Sequence, residues 1–209
     1  LAAAGRVTLR IDWLTGPALE AALEDVARLR IAVFRDWPYL YDGDLDYERG
    51  YLRSYLSPGA IVVAAFDDTG EGAPRMVGAA TGAPMEDHAA DFAAAFAHRP
   101  EALTDIFYCA ESVLLPEWRG QGVGHAFFDA REAHARRLGR HYAAFCAVAR
   151  PDSHPQRPAC PRDLTRFWRG RGYAPLPDCV AQFRWRDIGA AEETPHDLQF
   201  WMKPLEPAP

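Results

Sequence analysis

The sequence predicts a mixed α/β domain, strands and helices alternating along a single chain of 209 residues. Three observations predict it. The apolar run Ile106 to Leu115 suits a buried strand, and Val123, Ala126, Phe127, Ala130 and Leu138 then repeat at helical spacing. Strand-type and helix-type runs alternate on both sides of that unit. Hydrophobic residues make up 49% and aromatics 12%, enough for one sizeable core. The domain is expected over 1–209, with its core at about 6–203 and a loose tail at 204–209.

The elements follow in order. Arg6 to Asp12 alternates strictly between apolar and polar residues and reads as a half-buried strand. Pro17 suits a first helical turn, and Leu19, Leu23, Val26, Leu29 and Val33 continue at helical spacing. A second helical segment runs from about Asp46 to Leu56, ended by Ser57-Pro58-Gly59. Ala60 to Phe66 is a buried-type strand, Asp67 to Gly72 a turn cluster, and Arg75 to Gly82 the returning strand of a hairpin, stopped by Pro84. Asp87 to Leu103 is alanine-rich and reads as helix, interrupted near Pro100. After the long helix, Gly139 ends the pattern and His141 to Val148 forms another strand. Arg150 to Arg162 carries four prolines and cannot be regular structure. Asp163 to Arg169 is a short helix, and Val180 to Asp187 and Leu198 to Lys203 are the closing strands.

The stretch Arg119-Gly120-Gln121-Gly122-Val123-Gly124 joins the strand to the long helix. Glycines let backbone N–H groups approach a bulky anion. The first N–H groups of a helix lack partners, and the helix dipole adds partial positive charge there, so a pyrophosphate is the natural guest. A nucleotide P-loop needs a Gly-Lys pair that is absent here. A dinucleotide loop needs a third glycine where His125 stands. The spacing Arg119-x-x-Gly122-x-Gly124 resembles the acyl-CoA loop of the GCN5-related N-acetyltransferases (GNAT), Gln/Arg-x-x-Gly-x-Gly/Ala. The phrase from Glu111 to Gly124 resembles that family over its full length, and so does the element order β-α-α-β-β-(α)-β-α-β-α-β-β. Gly172 and Tyr173 match the family's Tyr-x-x-x-Gly-Phe ending to its last helix, with Trp168 in place of the first tyrosine.

The resemblance implies the GNAT acyl-CoA N-acyltransferase fold, a central, mixed but mostly antiparallel sheet flanked by helices. It implies acetyl-CoA as cosubstrate and direct acetyl transfer to a primary amine. The pyrophosphate would lie on the N–H groups of Arg119, Gly120, Gln121, Gly122, Val123 and Gly124, with Arg119 as a cation. The pantetheine arm would pair with a strand edge opened by a splay or bulge, which the resemblance places at Val113, Leu114 and Leu115. A backbone N–H there would face the thioester oxygen and stabilise the charge it gains. Glu111 is the candidate base, its pKa expected to be raised by partial burial. Its alternative is a solvated or salt-bridged strand glutamate. Trp168 packs against either the pantetheine or the core. An indole does not titrate usefully, so Tyr173, Tyr142 and Cys146 are substitutes for the missing acid.

The acceptor is suggested by Asp36, Asp42, Asp44, Asp46 and Glu48, which crowd one connection with Trp37, Tyr39, Tyr41 and Tyr47. Carboxylates beside aromatic faces suit a small cationic amine. An acidic loop facing water is the competing reading. His154 and Arg157 either cap the cleft or belong to a surface loop. Net charge is −6 without a basic cluster, which argues against nucleic acid. No apolar run approaches the about 20 residues of a membrane span. The first five residues do not read as a signal peptide, and the missing Met suggests a trimmed start. Cys109, Cys146, Cys160 and Cys179 are widely spaced and read as reduced thiols of a cytoplasmic protein, the first two buried in strands. No histidine pair has ligand spacing, so no metal is expected. A homodimer fits the resemblance. A non-catalytic acyl-CoA-binding or sensing module is the alternative function, and a dinucleotide-dependent enzyme is a third.

Overall fold

The computed structural model describes residues 9–69 and 72–206. Strand β1 (Leu9–Leu14) leads into helix α1 (Gly16–Phe34), which Pro17 starts. The predicted first strand therefore begins outside the described residues and runs two residues beyond Asp12. The buried stripe of α1 comprises Leu19, Val26, Ala27, Leu29 and Phe34, and it contains one charged residue, Arg30. Helix α2 (Leu45–Leu52) is capped by Asp44, whose Oδ1 accepts from the Tyr47 N–H at 2.9 Å. A 3₁₀ turn, Arg53–Leu56, continues it and places Tyr55 inside.

Strands β2 (Ile61–Asp67) and β3 (Arg75–Pro84) form the expected hairpin. The alanine-rich segment is not one long helix. It comprises a 3₁₀ turn at Met85–His88, helix α3 (Ala89–Phe96) and a second turn at Leu103–Asp105. Only Phe92 and Phe96, one helical turn apart, give α3 a buried face, so tertiary packing supports only two turns.

The run Ile106 to Leu115 is not one strand either. It divides into β4 (Ile106–Tyr108) and β5 (Ser112–Leu114), with Cys109–Glu111 irregular between them. Helix α4 (Val123–Arg137) and strand β6 (Tyr142–Val148) follow, then α5 (Thr165–Gly170). The closing hairpin, β7 (Ala174–Arg186) and β8 (Glu193–Pro204), is longer than the sequence suggests. Pro175 is tolerated because β7 lies at the sheet edge, where a register shift separates Pro175 from Val180. The added part of β7, Ala174–Cys179, holds Pro175 and Pro177, and the added part of β8, Glu193–Asp197, is mostly polar, so neither carries an apolar strand signal.

Among the described residues eight strands form one mixed sheet, β1-β2-β3-β4-β6-β8-β7, with β5 also paired to β3. Every pairing is antiparallel except β4 with β6. One face packs on α4 through Phe107, Val123, Phe127, Phe128, Phe145 and Trp201. The other face is covered in two parts. Helices α1 and α2 cover β1–β3, while α3 covers β4, β6, β8 and β7. Between those two parts lies a cavity.

Candidate active site

The break in the central strand organises the site. Strand β4 pairs with β6 from Ile106↔Tyr142 to Tyr108↔Ala144, and the Cys109 N–H still reaches the Ala144 carbonyl at 2.7 Å. Beyond that point β5 stays with β3, while β6 continues with β8. The two halves of the sheet part there. The sequence reading put the opening at Val113–Leu115. The irregular residues are Cys109–Glu111, and Val113 and Leu114 lie on the strand that borders the gap. The carbonyl of Glu111 accepts from Thr81 N–H at 3.0 Å, and Leu115 N–H donates to Val77 at 3.0 Å. Backbone groups alternate sides along a strand, so Ser112 and Leu114 direct theirs away from β3, toward the gap.

The irregular segment is held from the α4 side. Arg131, fully buried, donates from Nη1 to the carbonyls of Glu111 (2.9 Å) and Thr81 (3.1 Å), and from Nη2 to Ser112 Oγ (2.8 Å). These bonds add to those that Thr81 N–H and Ala110 N–H make to the same two carbonyls, at the place where regular pairing stops.

The glycine loop lies at the far end of β5. A 3₁₀ turn, Pro116–Trp118, precedes it. Gly120 (φ +79°) and Gly122 (φ +83°) are in the left-handed region, where other residues are strained, and a Cβ at either would meet no protein atom within 4 Å. The loop therefore faces open space. The first helical bond of α4 is from Ala126 N–H to the Gly122 carbonyl, 3.2 Å, so the N–H groups just before it have no helical partner. Val123 turns its side chain into the core, and Gly124 lies against Phe167. Arg119 Nε donates to the Leu114 carbonyl at 3.2 Å, which fixes the side chain beside the loop. Gln121 reaches back to the Glu117 carbonyl. Arg162, exposed on the proline-rich segment, is near enough for the Arg119 charge to add to partial desolvation in lowering its pKa. Two cations brought together beside orphan N–H groups make an anion site. The residues present thus fit a pyrophosphate group. Arg162 gave no sequence signal, because only folding brings it to Arg119.

On the opposite face, a cavity of about 110 Å³ sits between α1, α2, the break and the β7–β8 hairpin. Its walls are aromatic: Phe34, Tyr39, Tyr41, Tyr51, Tyr108 and Trp185. Ala110 and Glu111 from the break, and Cys146 from the diverging part of β6, bring it to the gap. Of the acidic cluster only Glu48 lines it. Asp44 is the α2 cap, Asp42 pairs with Arg186 at 2.8 Å, and Asp46 pairs with Arg49 at 2.7 Å. Tyr39, Tyr41 and Tyr47 line the cavity, whereas Trp37 packs on His154, ring centroids 5.3 Å apart. Arg157 pairs with Asp152.

Glu111 turns toward this cavity and is nearly buried. It accepts from Tyr51 Oη at 2.6 Å, from Tyr55 Oη at 3.3 Å and from Thr81 Oγ1, and it is in close ionic contact with Arg30. Burial favours a raised pKa, but the Arg30 guanidinium and the bonds from Thr81 and Tyr51 outweigh it and hold the carboxyl below the usual range. The expected upward shift is therefore corrected: Glu111 is an ion-paired carboxylate. Arg30 also pairs with the fully buried Glu48. Sequence reading missed Arg30 because it interrupts an otherwise apolar helical stripe.

The proposed substitutes for the acid are dispersed. Tyr173 is buried on the α4 side and donates to Glu132 Oε1 at 3.1 Å, so it does not face the cavity. Tyr142 begins β6, opposite Pro204, at the far end from the gap. Cys146 is at the cavity, 3.3 Å from Tyr108 Oη, and burial pushes its thiol up to about 12. Trp168 packs on Phe145 and Trp201, with centroids 5.0 and 5.2 Å away. That is the core alternative. Cys109 is buried, but in the break rather than a strand. Among the described residues no helix is long and apolar enough to cross a membrane.

No family profile matches the sequence, and no curated protein matches it either. Solved structures do match along nearly the whole chain. The provisionally assigned acetyltransferase yncA of Salmonella typhimurium, solved with its cofactor acetyl-CoA, shares 14% identity over 97% of this chain and 96% of its own, TM-score 0.57. A provisionally assigned acetyltransferase of Acinetobacter baylyi ADP1 shares 12% over 98% of each chain, TM-score 0.62. A GNAT-family acetyltransferase of Streptococcus pneumoniae shares 12% over 95% of this chain and 100% of its own, TM-score 0.56. The fold is thus the GNAT acetyltransferase fold.

Proposed function

We propose that the chain is a single-domain N-acetyltransferase that moves an acetyl group from acetyl-CoA directly to a primary amine on a small cationic acceptor. The observation that carries this reading is the meeting of two sites at one break. The glycine loop and the β5 edge approach it from one side, and the aromatic cavity reaches it from the other at Ala110, Glu111 and Cys146. Acetyl-CoA supplies an activated acyl carbon: a nitrogen–carbon bond forms, the carbon–sulfur bond breaks, and sulfur leaves with the electron pair.

The residues would share the work as follows. The N–H groups of Gly120, Gln121, Gly122, Val123 and Gly124, with Arg119 and Arg162, hold the pyrophosphate. The gap-facing backbone of Ser112 and Leu114 aligns the pantetheine, and a fixed N–H there stabilises negative charge on the acyl oxygen. Holding both reactants together supplies much of the acceleration. Glu111, ionised and hydrogen-bonded, attracts the cationic acceptor and orients it, and takes the amine proton directly or through water. The aromatic walls favour a cation.

Thermal stability with acetyl-CoA, CoA and NAD tests the loop assignment, since a ligand bound only by the native state raises the midpoint. Acetyl-CoA raises it for the intact protein, NAD does not, and Gly122→Trp loses the shift. Thiol release in the presence of an amine panel then separates an enzyme from a binding module. No shift with either CoA compound at saturation overturns the assignment.

A further inference from the structure

Glu48 is fully buried, and one of its oxygens is unused. Its Oε2 takes Arg30 Nε, while Oε1 has no hydrogen-bond partner among the described residues. A buried charged acceptor without a donor costs free energy unless a ligand satisfies it. Glu48 lines the aromatic cavity beneath the Tyr41 hydroxyl, so a stronger donor within the cavity reaches it by displacing that hydroxyl.

The charges around it do not balance. One guanidinium, Arg30, serves two carboxylates, Glu48 and Glu111. Arg184 is the other cation on the cavity wall, but it is exposed and directed to the Glu193 carbonyl at 2.8 Å. The interior therefore carries one excess negative charge, enclosed by Tyr39, Tyr41, Tyr51 and Trp185. Burial first, then the Glu48 charge and a hydrogen bond to Glu48, raise the pKa of Tyr41, so that hydroxyl stays a neutral donor beside the carboxylate. The cavity is small and suits a short chain rather than a folded peptide.

Two carboxylates on either side of one guanidinium give the cavity two ends. Glu111 adjoins the break, where the acyl group would be delivered. Glu48 lies on the other side of Arg30, on α2. We propose that Glu48 receives a second, cationic nitrogen of the acceptor, so that the substrate class is a compact diamine whose far ammonium is held while its near amine is acetylated. This rests on the acetyltransferase reading for the role of the near amine, but the diamine site itself does not.

The test compares 1,3-diaminopropane and 1,4-diaminobutane with propylamine and butylamine on the intact protein. Thiol release gives kcat/KM, and titration calorimetry gives Kd without turnover. A charge-assisted hydrogen bond in a buried site predicts at least about a tenfold advantage for each diamine. In Glu48→Gln the diamine-to-monoamine ratio falls toward one. If that variant fails to fold, the comparison on the intact protein still decides. Acetyl transfer with equal efficiency for diamines and monoamines overturns the inference and leaves the enzyme reading standing. Tight diamine binding without transfer supports the inference and overturns the enzyme reading. Binding of neither amine class overturns the inference.

Discussion

The Arg131 guanidinium lies 2.9 Å from the Glu111 carbonyl oxygen and, with its bonds to Thr81 and Ser112, ties helix α4 to the break in the central strand. A side chain on one face thus holds open the backbone whose other face presents the candidate catalytic carboxylate. Removing it would take away three buried hydrogen bonds at once and leave Ser112 Oγ without this donor.

Arg131→Leu is expected to destabilise the fold by about 3 kcal/mol, since several buried bonds go together. Chemical denaturation measures it. A loss below about 0.5 kcal/mol, within the usual range for an exposed surface site, would falsify a structural role for the guanidinium.

Glu111 links stability to pH. Its folded-state pKa lies below the 4.5 of a free glutamate, so the stabilisation is complete above that value and is lost as pH falls through the folded pKa. Glu111→Gln removes a buried, hydrogen-bonded carboxylate but leaves Arg30 paired with Glu48, so a loss of about 1–3 kcal/mol is expected at neutral pH. The gap between native protein and variant should shrink as pH drops below 4.5. Unfolding free energies between neutrality and pH 3 measure this, and a constant gap would refute the ion-pair description.

The fold class and glycine loop were legible because they rest on local patterns. Apolar periodicity marks α1, α4 and β2, and Gly120 and Gly122 mark the loop. The break was not legible, because Cys109, Ala110 and Glu111 have no turn chemistry, and it arises from β5 following β3 while β6 follows β8. The charged interior was hidden for a related reason. Arg30 and Glu48 are single charged residues on two helices until packing of α1 on α2 buries them together, and Arg131 is buried separately on the α4 side. Trp168 was ambiguous in sequence, and its neighbours Phe145 and Trp201 come from two other strands.

The cation pair at the loop should show in ligand affinity rather than in stability. Arg162 is exposed and belongs to an irregular segment, so Arg162→Ala should leave the unfolding midpoint without ligand nearly unchanged. Loss of one charge-assisted contact should weaken acetyl-CoA binding by roughly tenfold, and less at high salt. Calorimetry at two ionic strengths reads both effects. An unchanged Kd at low salt removes Arg162 from the site.

Tyr173 offers a contrast between resemblance and packing. Its hydroxyl donates to Glu132, which also receives Lys203 Nζ at 2.7 Å and Arg171 Nη2 at 3.1 Å. This network belongs to the α4 face, away from the cavity. Tyr173→Phe should therefore cost about 1 kcal/mol of stability and leave turnover within about twofold. A large fall in kcat with unchanged KM would place the hydroxyl back among the reacting groups.

The last prediction concerns the wall of the acceptor cavity. Arg150 donates from Nη1 and Nη2 to Asp187 at 2.8 and 2.7 Å, and from Nε and Nη2 to the carbonyls of Pro38 and Tyr39 at 2.9 and 2.7 Å. Trp185 Nε1 shares the Tyr39 carbonyl at 3.0 Å. One guanidinium thus pins the α1–α2 connection to β7, and the rings of Tyr39 and Trp185 are set by it. Burial acts to raise the Asp187 carboxyl, but the Arg150 bonds and charge hold it below its usual range. Arg150→Ala removes the main partner of a partly buried aspartate, which keeps its bond from Trp185 Nε1, so a loss of about 2–3 kcal/mol is expected. Because the cavity wall loosens while the glycine loop is untouched, acceptor KM should rise with the Kd for acetyl-CoA preserved. Equal losses in both would mean that the two sites are not held by separate parts of the fold.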